Sequence, residues 1–407
     1  MKPEIDTVKG FQDFLPPISQ KRNEIKKTIQ KYFELYGFVP LETPIIEFDE
    51  LIKGDSLPAE EDEAVSDRFR LKDRAGRNLG LRYEFTFQLQ RLFKQNPNLK
   101  LPFKRYQIGP VFRDEPITSN RFRQFTQCDA DIIGDPSINA DAECLALASE
   151  ILKSLNIDFE IEINNRALIQ SLIESVQIQN PEAIMKELDK LDKIGEDQVK
   201  LNLKKYADSN QVLTLFKLLD KNLEFYLDNG FKGAEQIKEL IEKCKAYKIQ
   251  VKFNQYLARG LSYYTGSVFE FKTPQSKDSI GAGGRYDKVV GKLSNRDIPA
   301  VGFSFGLERL TQLANIPIKN KIKALLISFE EDKAMFNIAK KLRKAGVPCI
   351  TTFGNPSKQL DYANSLEIPY VIFVGEQEIE SQKFKLKDMS SGEEKLLTEK
   401  QLINKLT

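Results

Sequence analysis

The amino-acid sequence predicts an α+β fold followed by a smaller α/β domain. Three observations predict it. Strand and hairpin signals occupy the first 165 residues and return at 251. From about 166 to 250 the chain is instead rich in Leu, Ile, Lys and Glu at helical spacing. After residue 322, strand-like and helix-like runs alternate, as in a small parallel or mixed sheet. The expected divisions are 1–165 with 251–315 for the main body, 166–250 for an all-helical insertion, and 322–407 for the C-terminal domain.

Taken in order, residues 18–36 form an amphipathic helix. Ile25, Ile29, Tyr32, Phe33 and Tyr36 fall on one face, and Gly37 stops it. Phe38 to Pro44 then runs extended. Arg68–Lys72 and Asn78–Tyr83 flank Asp73-Arg-Ala-Gly-Arg77, a hairpin signal. The segment from Arg113 to Arg123 reads as strand, polar loop and strand, the loop carrying Thr118, Ser119, Asn120 and Arg121. Phe159–Ile163 is strand-like. Inside the helical stretch, turn signals stand at Asn180-Pro181, Asp208-Ser-Asn and Asn229-Gly230. Gly281-Ala-Gly-Gly reads by itself as a glycine turn. In the last region Ala324–Phe329, Cys349–Phe353 and Tyr370–Val374 are strands. Between them, Met335, Ile338, Ala339 and Leu342 mark a helix ending at Gly346, and Ser357–Leu366 is another.

Composition excludes several function classes. With 407 residues the chain can build two or three domains with real cores. A net charge of +2 gives no general nucleic-acid signal, so any RNA contact must come from local patches. No apolar run approaches a membrane helix, and Met1-Lys-Pro-Glu-Ile-Asp6 lacks the apolar centre of a signal peptide. Cys128, Cys144, Cys244 and Cys349 show neither metal spacing nor a disulfide framework, which suits a reduced cytosol. There is no histidine at all. That removes a Ser-His-Asp triad, a histidine base and any histidine-ligated metal, and leaves acid–base work to carboxylates, Lys, Tyr or the substrate. The run Glu60-Glu-Asp-Glu63 reads as a solvated loop.

The most informative stretch is 256–272. Arg259 stands just before an aromatic, β-branched run and is followed by paired Tyr263 and Tyr264. An arginine can neutralise a phosphate or carboxylate, and two phenols can hydrogen-bond a polar ring. The alternative is a core strand with a surface arginine. Arg259-Gly-Leu-Ser-Tyr-Tyr resembles the histidine-recognition motif R-G-L-D-Y-Y of histidyl-tRNA synthetases. Further segments follow that family's order: Lys9-Gly-Phe-Gln-Asp-Phe-Leu-Pro16, Leu81-Arg-Tyr-Glu-Phe-Thr86, Phe112-Arg-Asp-Glu-Pro116 through Gln127 to Gly134, Gly283-Gly-Arg-Tyr-Asp287 and Ala300–Arg309. The resemblance spans nearly the whole chain. Residues 322–407 resemble the anticodon-binding domain of a group of class II synthetases.

The resemblance implies a class II antiparallel-sheet catalytic core and a homodimer built through Gly10–Pro44. It implies a cytoplasmic ligase that uses ATP with Mg2+ to join L-histidine to histidine tRNA through a histidyl-adenylate. The tRNA would be touched at its acceptor end and its anticodon. No metal would be held by histidine or cysteine. Joining a carboxylate to the α-phosphate sets one anion against another, so concentrated positive charge is needed there. The resemblance gives that role to Arg113 and Arg259, which would also line the histidine site. Arg309 would hold ATP at its adenine and γ-phosphate end, Phe125 would stack on adenine, Glu115 would accept its amino group, and Arg121 would complete the nucleotide site. Glu84 and Thr86 would take the cationic α-amino group. Gln127, Asp131, Tyr263 and Tyr264 would satisfy the two imidazole nitrogens. Read alone, Asp131 is first a cap or turn residue ahead of Gly134-Asp-Pro, and Tyr264 has a core residue as its alternative.

Two points stay open at this level. Ser262 replaces the acid usual in the motif; serine either substitutes through its hydroxyl or leaves bound histidine less well fixed. The absence of histidine is either drift or redesign, or a way to make a histidine-charging enzyme without its own product. The rival function is the non-catalytic regulatory paralogue that partners ATP phosphoribosyltransferase. That paralogue usually lacks the anticodon domain and key arginines, whereas Arg113, Arg259, Arg309 and residues 322–407 are present here. A non-catalytic RNA-binding module is disfavoured by the same arginines.

Overall fold

The structure, a computed structural model, describes residues 5–53, 67–118, 121–259, 263–318 and 321–407. Glu60–Glu63, Ser119, Asn120 and Ser262 lie outside the described residues. The chain divides into two compact units, Met1–Ile316 and Pro317–Thr407.

The first unit is organised by a sheet that has eight strands among the described residues. In chain order the strands of this unit are β1 (Val39–Pro40), β2 (Ile46–Phe48), β3 (Arg70–Lys72), β4 (Asn78–Leu81), β5 (Phe103–Phe112), β6 (Gln124–Ile133), β7 (Glu160–Asn165), β8 (Lys252–Phe253), β9 (Ser267–Thr273), β10 (Ser276–Arg285) and β11 (Ala300–Gly306). The large sheet runs β1-β5-β6-β11-β10-β9-β7-β8. Its interior pairs are antiparallel, with one parallel pair at each edge. The expected hairpin is β3–β4, and β2 joins it in a small separate sheet. Its turn is held by the Asp73 carboxylate, which accepts from the Ala75 and Arg77 amides at 2.9 Å each.

One face of the large sheet is apolar. Strand side chains alternate between faces, so Cys128, Ala130 and Ile132 of β6 and Val301, Phe303 and Phe305 of β11 enter one core, all nearly inaccessible. Phe269 and Phe271 of β9 meet Phe303 and Phe305 of β11 across the glycines of β10, edge-on or tilted, with ring centroids 5.2–6.1 Å apart. The helices Ile18–Leu35 and Ile138–Ser154 cover this face. The first buries Ile25, Ile29 and Phe33 and ends at Gly37, whose φ of 78° is open to glycine at no steric cost. Tyr32 and Tyr36 are only half-buried.

Residues 166–246 carry seven helices among the described residues and no strand. Two of the sequence turn signals are helix starts. Asn180 caps Pro181–Leu188 by accepting from the Ala183 amide, and Asp208 with Gln211 forms a capping box at Ser209–Leu219. Short polar side chains that satisfy free amides look alike in sequence whether they open a helix or turn a loop. The Gly281–Gly284 run is not a turn. It lies inside β10 between β9 and β11. A Cβ on Gly283 would sit 2.2 Å from the Gly302 carbonyl oxygen, so close backbone approach explains these glycines.

The second unit adds β12 (Ala324–Ser328), β13 (Cys349–Phe353), β14 (Tyr370–Val374), β15 (Lys383–Asp388) and β16 (Glu394–Thr398) in the order β13-β12-β14-β15-β16. The first three are parallel and the last two antiparallel. Helices Asp332–Lys344 and Glu399–Leu406 cover one face and Pro356–Ser365 the other. The β15–β16 hairpin and the last helix are not anticipated by the sequence reading. No helix among the described residues is long and apolar enough to cross a membrane.

Candidate active-site cleft

The other face of the large sheet is polar. Gln127, Asp129 and Asp131 alternate on β6 with the three core residues, and all three are buried. Arg105 and Gln107 of β5 stand opposite Asp131 and Asp129 in the strand register. On β11, Gly302 and Ser304 occupy the same face. Gln127, Asp129, Asp131, Gly302 and Ser304 floor a cleft of about 1170 Å³, with Arg105 and Gln107 behind them; its walls include Arg113, Glu115 and Arg121 from the β5–β6 connection, Tyr256–Arg259 with Tyr263 and Tyr264, and residues 183–193 of the helical stretch. All twelve residues expected from the sequence line it: Glu84, Thr86, Arg113, Glu115, Arg121, Phe125, Gln127, Asp131, Arg259, Tyr263, Tyr264 and Arg309.

The cleft has an anionic floor. Arg105 is fully buried and ion-paired to Asp131 at 2.7 Å. The Tyr286 hydroxyl also donates to Asp131. Asp131 therefore sits in mid-strand as an ion-pair partner, and the cap-or-turn reading of it is wrong. Glu84 is buried beside this pair. It accepts from the Thr86 and Phe87 amides at 2.8 and 2.6 Å, and so holds the start of the helix Phe87–Gln95. Burial raises its pKa, and these hydrogen bonds work against the rise. Asp129 is pushed up to about 8, first by burial and then by Asp131 and Glu84, although Arg105 and a Ser304 hydrogen bond oppose this. Glu84, Asp129 and Asp131 are thus gathered around the buried Arg105 guanidinium, and Asp129 also feels the buried Arg82. The Gln127 side-chain amide donates to Ser304 at 2.8 Å, while its oxygen is buried without a hydrogen bond. Above the floor Tyr263 packs on Phe87, Tyr264 and Tyr286. Tyr264 joins the apolar cluster of Leu89, Val268 and Tyr286 while still reaching the cleft. Both tyrosines precede β9, so the strand begins later than the aromatic run suggests.

The mouth of the cleft is cationic. Arg113 follows β5 directly, with its guanidinium 4.3 Å over the Tyr83 ring and 5.1 Å over Phe125. Glu115 lies 3.8 Å from both Arg113 and Arg121. Arg309, on the helix after β11, donates to the Ser279 carbonyl. Burial, and then the charges of Arg121, Arg113 and Arg259, lowers its pKa despite Asp278. Arg309 is therefore close enough to feel the other three guanidinium groups. Arg259 has a left-handed backbone with φ of 57°. For a residue other than glycine this costs on the order of 1–2 kcal/mol, a kind of strain that clusters at working sites. It is ion-paired to Glu270 at 3.1 Å, and its Nε is buried with no hydrogen-bond partner.

The sequence reading missed Asp129, Arg105, Tyr286 and Glu270. Asp129 had a signal in the alternation Gln127/Asp129/Asp131 against Cys128/Ala130/Ile132. Arg105 had none, because its role depends on which residue β6 places opposite it.

Comparison with known proteins agrees with this geometry. The family model described as histidyl-tRNA synthetase matches residues 10–310, and the anticodon binding domain model matches 312–407. A relative from Bacillus cereus, "Histidine--tRNA ligase 1", is 36% identical, with 96% of this chain and 94% of the relative covered. The crystal structure of histidyl-tRNA synthetase from Nostoc sp. superposes with a TM-score of 0.85 at 28% identity, covering 100% of this chain and 99% of that one. An ATP phosphoribosyltransferase regulatory subunit/histidyl-tRNA synthetase from Bacillus halodurans shares the fold with a TM-score of 0.77 at 22% identity, over 92% and 99% of the two chains. With its motifs gathered in one cleft and both family models matched end to end, this chain belongs to the histidyl-tRNA synthetase family.

Proposed function

We propose that the chain ligates L-histidine to histidine tRNA through a histidyl-adenylate. The observation that carries this is the polarity of the cleft, with an anionic floor and a cationic mouth. The floor's surplus of carboxylate suits the α-ammonium and imidazole of histidine. Glu84 and Thr86 take the ammonium. Gln127, with its unbonded oxygen, Asp131, Tyr263 and Tyr264 surround the ring. A polar site of this kind rejects analogues that lack the ring nitrogens by roughly 10⁴–10⁵.

ATP lies at the mouth. Arg113 and Arg259 approach its α-phosphate from opposite walls, and Arg309 and Arg121 neutralise the outer phosphates. Phe125 and Glu115 meet the adenine. The histidine carboxylate attacks the α-phosphorus and pyrophosphate departs. The arginines stabilise charge that grows in that transition state, and being held by the fold beforehand they need little reorganisation. Mg2+ enters with ATP as part of the substrate. Such an ion is ordinarily held by the phosphates and water with one or two carboxylates. The terminal ribose hydroxyl of the tRNA then takes the histidyl group.

The second unit reads the anticodon, and residues 113–123 meet the acceptor end. A homodimer through 10–44 accounts for the apolar side chains left exposed there, Leu15, Ile18, Leu35 and Val39. The cytoplasm supplies all three substrates. Charging of histidine tRNA by the purified chain tests the reading. Charging with histidine and with no other amino acid is expected; a chain that binds the tRNA without charging it would return the non-catalytic RNA-binding alternative, and one that does neither the regulatory alternative.

A further inference from the structure

We propose that Lys272 is a positioning residue that competes with Arg259 for the Glu270 carboxylate, and that Asp192 on the helical stretch sets the outcome of that competition. The inference rests on the adenylation reading above. Strands β7 and β9 place Glu162 directly opposite Glu270. Like charges in that position repel. Both side chains are largely buried, so water does not relieve the repulsion. Two cations do. Arg259 holds Glu270 from the cleft side at 3.1 Å. Lys272 lies two residues beyond Glu270, on the same face of β9. Its ammonium is 2.9 Å from Glu162 and 3.9 Å from Glu270.

A third acid also draws on Lys272. Asp192, in the short helix Leu191–Ile194, lies 2.9 Å from the same ammonium. The Asp192 side chain is 75% exposed, so this ion pair adds little stability and opens easily. It nevertheless decides where one positive charge is spent. With Asp192 engaged, Lys272 is drawn off Glu270, and Glu270 relies on Arg259. With Asp192 withdrawn, Lys272 turns to the two strand carboxylates, and the Arg259 guanidinium is released toward an anion in the cleft. The 183–193 wall is thereby coupled to the arginine at the reacting phosphate.

The test is histidine-dependent ATP–pyrophosphate exchange by the full chain, with kcat and KM measured separately. Misplacing a reacting group by 1 Å can cost about a hundredfold. Lys272→Met, which leaves Glu270 to Arg259 alone, is expected to lower kcat about tenfold with the histidine KM unchanged. Lys272→Arg restores the charge and is expected to rescue most of that loss. Asp192→Asn is expected to move kcat the other way, upward by about twofold. Opposite signs in Lys272→Met and Asp192→Asn carry the proposal, because a purely structural network would lower both rates in step with melting temperature. Parallel losses overturn it, as does an unchanged kcat in either variant. A wild-type chain with no histidine-dependent exchange would overturn the functional reading instead, so the two failures are distinguishable.

Discussion

The two units each contain a strand buried on both faces, and they use it differently. In the second unit β12 is apolar on both sides. Leu326 faces Met335 and Leu342, while Leu325 and Ile327 face Ala363 and Ile368. In the first unit β6 gives one face to the core and lines the other with Gln127, Asp129 and Asp131. Burying carboxylates costs several kcal/mol per charge unless pairing offsets it, and here Arg105 is shared by Asp131 and Glu84 while Asp129 is held protonated. A fold seeking only stability would fill that face with Val and Leu. The difference marks β6 as a strand whose second face is kept for a ligand that brings the missing charge.

Four substitutions can break or sharpen this contrast. Leu326→Ala should cost about 2–5 kcal/mol of second-unit stability through the cavity it leaves, with histidine-dependent exchange unchanged below the melting point. Denaturant unfolding beside exchange assays checks this, and a fall in exchange would show that the two units share their chemistry. Arg259→Ala should reverse the pattern, lowering exchange by roughly 2.7–4 kcal/mol of transition-state stabilisation, with a fall in melting temperature, from Glu270 left to Lys272, too small to unfold the chain at assay temperature. Near-normal exchange in this variant would remove Arg259 from the reaction.

Tyr264→Phe tests whether the cleft's aromatic wall belongs to the core or to the site. Tyr264 does both structurally, so the split of effects is informative. An increase in the histidine KM worth about 1–3 kcal/mol, larger than any change for ATP, is expected for an unpaired buried partner. A lowered melting temperature with the histidine KM unmoved would assign it to the core alone. Asp129→Asn differs from the other three in leaving a pH signature. With its carboxyl held at about 8, against an ordinary 3.8, native Asp129 keeps a proton that the unfolded chain releases. Its contribution to stability is therefore present at low pH and is lost as pH rises toward 8. The variant should gain on the wild type across that range, by up to about 1.4 kcal/mol for each pH unit, and the difference should level off above it. Melting curves at pH 5 and 8.5 compare the two.

The contrast also explains what the sequence disclosed. The second unit's central strands and its first two helices were legible because their pattern is local: apolar runs of strand length and Met335, Ile338, Ala339 and Leu342 at helical spacing. The first helix was legible for the same reason. The site residues were legible only as motifs matching a known family. Their meeting depends on long-range pairing, such as Arg105 opposite Asp131 and Glu162 opposite Glu270, which no local period encodes. Gly281–Gly284 shows the limit from the other side. Glycines suggest turns, yet these lie in mid-strand because neighbouring strands leave no room for a Cβ.

The most direct test of the central claim is ATP–pyrophosphate exchange by the full-length chain, with each amino acid supplied singly. The account predicts exchange with histidine and background rates with all others. Exchange driven equally by another amino acid, or no exchange with histidine at saturating ATP and Mg2+, would contradict it.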